Sequence, residues 1–216
     1  MPLQLAASKR RFSRLLLPWL AAAVPLACGA LILSWEADRS LNLSAARTSQ
    51  LAVEQFELIL DNVAAAADTV LPLAGQPCPQ VQPAPLDQVP RRPFVRSVNL
   101  IQAGTLYCSS LSGAVSEAVD PRDYVDGQLW LLAGNPVTPD RGLLIYREVR
   151  DQGSVLSTVD GYHLANALRM MGSVQVITLQ VGPNWIEANG MVHPGTAPAA
   201  GVAYTQLKSA RYPFSV

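Results

Sequence analysis

The sequence predicts an α+β fold in which a long N-terminal helix leads into an antiparallel sheet domain. Three observations carry this. A charge-free apolar run near the N-terminus is continued by apolar residues at three- and four-residue spacing, the period of a one-faced helix. After a proline-dense segment the period changes to two, the alternation of strands. A single short helix signal, Asp160-Gly161 through Gly172, interrupts the later strand-like runs, so helices and strands are segregated rather than alternating.

The first element is residues 15–35, which contain no charged side chain. Its 21 positions rise to about 30 Å as a helix, the thickness of a bilayer core. Lys9, Arg10, Arg11 and Arg14 precede it, while Glu36, Asp38 and Arg39 come after. That asymmetry keeps the N-terminus cytoplasmic and exports the rest of the chain. The expected organisation is a basic cytoplasmic tail (residues 1–14), a transmembrane helix (15–35) in contact with membrane lipid, and a periplasmic domain (36–216), at the bacterial inner membrane. A cleaved signal peptide is the competing reading, although the sequence around Trp35 offers no small-x-small cleavage site. Cys28, within the run, reads as a small apolar residue.

Residues 36–71 continue the helix. Leu41, Ala45, Ala52, Phe56, Ile59, Leu60, Val63, Ala66, Ala67 and Val70 form a stripe, with Arg47, Glu54, Glu57, Asp61 and Asp68 among the residues between. Such a stripe packs on its own domain or on a second copy, so a homodimer is open. Seven of the 17 prolines fall within residues 72–93, which predicts extended loop there. Residues 94–101 and 106–110 then read as a hairpin turning at Gly104. Further strands are expected at residues 129–132, 142–149, 155–159, 174–181, 185–188 and 202–207. The helix–hairpin–strands–helix–strands order is that of PAS-like sensor domains hung from an outgoing membrane helix.

Composition excludes some functions. Lys plus Arg and Asp plus Glu are 16 each, giving a net charge of zero, so no basic footprint for nucleic acid exists. His163 and His193 have no second ligand at metal-binding spacing, and neither a metal nor a cofactor is expected. A Cys108–His163 nucleophile is not excluded by spacing, but a disulfide competes for the thiol. Tyr107 and Trp130 read as core aromatics or as the lining of a small-molecule pocket.

With Cys28 in the membrane, only Cys78 and Cys108 pair as exported thiols. They are 30 positions apart, so the bond confers roughly 3 to 4 kcal/mol by the chain-entropy estimate. Compartment alone suggests a constitutive staple. Ser109 and Ser110 either satisfy backbone groups at the strand end or tune the neighbouring thiol. Arg96 alternates with Val95 and is expected to face solvent.

Val95-Arg96-Ser97-Val98, the Gly104 turn, Tyr107-Cys108-Ser109-Ser110-Leu111-Ser112-Gly113 and Arg211-Tyr212-Pro213-Phe214 resemble the CSS-motif sensor domain. The basic N-terminus, apolar run and upstream cysteine in a Pro-rich segment extend the likeness across nearly the whole chain. That domain is usually joined to a cytoplasmic EAL-type cyclic di-GMP phosphodiesterase. The resemblance implies a redox-responsive disulfide: the oxidised sensor holds the phosphodiesterase low, and reduction favours an active dimer. It also implies periplasmic thiol-disulfide oxidoreductases as partners, with the EAL domain acting in cis or in trans. The sequence holds no Glu-Ala-Leu signature and no array of metal-binding carboxylates, so no catalytic residue is assigned. The chain is expected to be a fragment of a larger enzyme or a free-standing sensor. The alternative function is a small-ligand sensor in which the same disulfide is structural.

Overall fold

The computed structural model describes residues 3–134, 139, 141–151, 153–172, 176–199 and 204–216, with side chains from Ala22 onward. The first helix, α1 (Leu3–Val70), runs for 68 residues. Its apolar stripe divides in two. From Ala52 onward Phe56, Ile59, Leu60, Val63, Ala66, Ala67 and Val70 are at most 1% exposed, forming the centre of the core. Residues 36–44 are exposed all round and Leu41 is 44% exposed, so the expected stripe packs on the domain only in its distal half. Among the described residues no helix is long and apolar enough to cross a membrane. The side chains of residues 15–21, one third of the apolar run, lie outside the described ones.

A one-turn 3-10 helix, Leu71–Leu73, ends α1. The expected extended loop after it is instead two short helices, α2 (Cys78–Val81) and α3 (Pro83–Arg91). Pro79, Pro83 and Pro85 fall in first turns, where the backbone N–H has no intrahelical acceptor to lose and the fixed φ suits the helix. Only Pro90 lies deeper, in the last turn of α3, where the Arg92 N–H still reaches the Gln88 carbonyl.

The main sheet is antiparallel throughout. Its strands are β1 (Val95–Gln102), β2 (Thr105–Ser109), β3 (Gly113–Ala118), β4 (Leu129–Leu132), β5 (Leu143–Arg150) and β6 (Gly153–Asp160), in the spatial order β3-β2-β1-β6-β5-β4. The β1–β2 hairpin closes through Ala103 and Gly104, both with positive φ (48° and 76°), in the two-residue turn that matches strand twist. The helix α4 (Gly161–Met171) starts where the Asp160 carboxylate accepts from the Tyr162 N–H, and ends at Gly172 as expected.

The helices α1, α3 and α4 pack against the main sheet. Val98, Leu100, Leu144, Val155 and Val159 point into this core. Alternate residues Ile101, Leu143, Ile145 and Leu156 form a smaller cluster with Tyr124 and Trp130 on the opposite face, as the period of two requires. A second sheet holds β7 (Leu179–Val181), β8 (Asn184–Ile186) and β9 (Val192–Pro194). The strand expected at residues 174–181 is confined to its last three, with 174 and 175 outside the described residues. Of the strand expected at 202–207, residues 202 and 203 lie outside the described ones, and 204–207 are not a strand. Backbone bridges join Gln180 to Ser215 and Lys208 to Ser215, so the last residues extend the second sheet.

Candidate functional site

The site is built where the end of β2 meets the segment after α1. Cys108 is paired across the ladder with Leu100 of β1 on one side and Ala114 of β3 on the other, and is fully buried. Cys78 opens α2 just beyond the end of α1 and is 7% exposed. The two form a disulfide with Cα atoms 5.2 Å apart, within the range such a bond spans. The bond thus joins the segment that follows the long helix to an interior strand.

The two serines hold the strand end. Ser110 and Val98 exchange two bonds: the Ser110 N–H donates to the Val98 carbonyl at 3.0 Å, and the Val98 N–H donates to Ser110 Oγ at 3.0 Å. Ser110 therefore replaces a ladder position where β2 turns away from β1. Ser109 Oγ accepts from the Leu111 N–H at 3.2 Å, shaping the turn. Both serines serve backbone groups, the first of the two roles open to them. Gly113 completes the turn with φ +73°, and a Cβ there would lie 3.1 Å from the Gln82 side chain. Glycine thus lets α2 and the residue after it approach the strand.

Around this core Tyr107 bonds through its hydroxyl to the Gly75 N–H at 3.0 Å, tying the turn before Cys78 to β2. Tyr107 is therefore a brace for the disulfide segment. Arg96, expected in solvent, is 3.1 Å from Asp160 with side chains 17% and 21% exposed; a bulge at Val95–Ser97 displaces it from simple alternation. Trp130 packs edge-on to Tyr124 in the second cluster. His163 meets Phe94 and Tyr162 edge-on, and the Cys108 sulfur is taken up by the disulfide. His193 has a carboxylate neighbour that spacing did not reveal: Glu187 lies 2.9 Å away across β8–β9, and the ring stacks on Trp185 at 4.4 Å. The bond to His193 holds the Glu187 carboxyl below its usual range. Among the described residues no group of three or more His, Cys, Asp or Glu is placed to hold a metal ion.

A second set of contacts reaches α1 from the C-terminal segment. Arg211 grips Asp61 with two bonds of 2.9 and 2.5 Å, and the Tyr212 hydroxyl donates to the same carboxylate at 2.7 Å. Ser209 donates to Glu57 at 2.6 Å, and Phe214 meets Phe56 edge-on at 6.1 Å. The bond to Arg211 holds Asp61 below the ordinary carboxyl range, despite the opposing effect of burial. Burial, then the bond to Asp61, pushes the Tyr212 phenol up.

The comparison with known families decides what this arrangement is. A family model described as a CSS motif domain associated with EAL matches residues 41–216. The chain belongs to that family. The match spans the distal half of α1, the disulfide and both sheets, so the Cys108-Ser109-Ser110 strand end stands within the matched CSS-motif domain. The chain is also similar to a protein of Escherichia coli (strain K12) described as probable cyclic di-GMP phosphodiesterase PdeD, with 42% identity over 76 residues. That stretch covers 33% of this chain and 14% of the relative. No solved structure matches the CSS-motif chain.

Proposed function

We propose that this CSS-motif domain is a membrane-anchored periplasmic thiol-disulfide sensor that regulates cyclic di-GMP hydrolysis by an EAL phosphodiesterase domain. The observation that carries the reading is the Cys78–Cys108 bond, which fastens the segment after α1 to β2. The charge-free residues 15–35 and the basic residues before them support the anchor and its orientation. The relative's description as a probable cyclic di-GMP phosphodiesterase supports the output.

The switch is a two-electron exchange. A thiolate of a dithiol oxidoreductase attacks one sulfur of the bond and expels the other cysteine as a thiolate, giving a mixed disulfide. Its second thiol resolves that intermediate, leaving Cys78 and Cys108 as thiols, each protonated, and the oxidoreductase as the disulfide. Release removes the covalent tie between α2 and β2, while the Gly75–Tyr107 bond and the packing of α3 on β1 remain. The segment that follows α1 then loses its covalent tie to the sheet, and the helix carries the change toward the membrane.

Two variants test this. In the full-length protein Cys78→Ser and Cys108→Ser should each fix output at the reduced level, whatever the redox conditions. Wild-type signalling and wild-type protein levels in both variants would reduce the bond to a structural staple. A periplasm-dependent reporter fused after Val216 should be active and a cytoplasm-dependent one silent; the reverse would remove the compartment on which the switch depends.

A further inference from the structure

A cavity of about 650 Å³ opens between the turn at residues 125–128, β7 and the C-terminal segment, and none of its walls belongs to the disulfide region. That volume suits a small molecule. The walls are held in place before any ligand arrives. The Gln180 amide donates to the Gly182 and Gly195 carbonyls at 2.6 and 3.0 Å and accepts from the Ala197 N–H at 2.8 Å. Gln206 donates to Ser215 Oγ at 3.0 Å. A hollow braced this way is preorganised rather than collapsed.

Its charges select the occupant. Lys208 and Asp126 line the same cavity, and among the described residues neither has an ion pair or hydrogen bond through its side chain. The third charged lining residue, Arg211, is taken up by Asp61. Among the described residues, one cation and one anion without side-chain partners therefore line the cavity, together with the Gln128 amide. A dicarboxylate would set its second charge against Asp126. A neutral sugar is normally stacked on an aromatic face, but the Tyr212 ring is already occupied by Arg211 at 5.4 Å and Tyr146 at 6.2 Å. We propose that this cavity binds a free α-amino acid, its carboxylate on Lys208 and its ammonium on Asp126.

The occupant would bear on α1. Ser209, Arg211, Tyr212 and Phe214 line the cavity and are also the residues that hold Glu57, Asp61 and Phe56 of the helix. Binding there is a second input to the helix, at a different place from the disulfide, and it stands whether or not the redox reading does.

The test is equilibrium dialysis of the full chain in detergent, disulfide intact, against a pool of labelled L-amino acids, a pool of neutral sugars and a pool of dicarboxylates. Saturable binding of an amino acid, one per chain, is expected. Lys208→Ala and Asp126→Asn should each weaken it by about tenfold or more, the loss typical of a hydrogen bond to a charged group. Both variants should melt with the wild type in the absence of ligand, since both side chains are exposed and unpaired. Binding of no amino acid, binding unchanged in both variants, or saturation by a sugar or dicarboxylate in its place would overturn the proposal.

Discussion

At the scale of residues, the CSS motif divides its labour between a covalent bond and a strand end. The Val98 N–H is buried, and Ser110 Oγ is its acceptor. Ser110→Ala should therefore lower stability by about 1 to 3 kcal/mol, the cost of leaving a buried donor unmet, while the disulfide still forms. Ser109→Ala removes only a bond within a part-buried turn and should cost less. Chemical denaturation of the two variants measures the difference; equal losses would mean that Ser110 does not hold β2 to β1. The cysteine pair was legible in the sequence because Cys28, set in the charge-free run, was the one other cysteine. Ser110's partner was not, because Val98 is twelve residues away and meets it only through the bulged register of β1 and β2. Glu187 beside His193 was hidden for the same reason, since the hairpin that joins them is made of very short strands.

At the scale of elements, α1 serves two environments. Its distal half is core, whereas residues 36–44 are exposed all round. Two glycines inserted between Ser40 and Leu41 should leave the domain's melting and its disulfide unchanged. Each costs about 1 kcal/mol of local helix stability, so the insertion should uncouple disulfide state from phosphodiesterase output. Output that stays fully redox-sensitive would send the signal by another route. The C-terminal clasp predicts a pH effect. The folded-state pKa of Asp61 lies below its unfolded value of about 3.9, so its contribution is present above that value and lost as pH falls through the folded pKa. Arg211 is more than half exposed, so solvent screening keeps the contribution small. Between about pH 6 and about pH 3 the wild type should lose slightly more stability than Asp61→Asn, as measured by denaturant midpoints. Identical losses would remove the carboxylate from the clasp. The hairpin and α4 were readable because their turn and cap residues act locally, whereas α2 and α3 were not. Proline counts suggest loop, but position within the first turn decides whether a proline breaks a helix or begins one.

At the scale of the whole molecule, one face of a six-stranded sheet is built around a helix that continues well beyond the domain, and two attachments fix that helix at different points. The disulfide fastens the segment after its last turn, and the clasp holds Phe56, Glu57 and Asp61. Reduction should lower stability by roughly 3 to 4 kcal/mol without unfolding a core centred on α1 and the sheet. The thermal transition should therefore shift but persist under reductant, and loss of the transition would mean that the bond is required for the fold itself. The most direct test of the switch tracks disulfide content and activity together. On the proposed reading, the EAL phosphodiesterase that this domain regulates, in cis or in trans, is equilibrated with it in glutathione buffers of graded potential. At each potential the Cys78 and Cys108 thiols are trapped by alkylation, and the rate of cyclic di-GMP hydrolysis is measured on the same sample. A redox sensor predicts that hydrolysis rises along the same curve as the fraction of reduced disulfide and is flat in Cys108→Ser; a disulfide that becomes fully reduced while hydrolysis stays constant would contradict it.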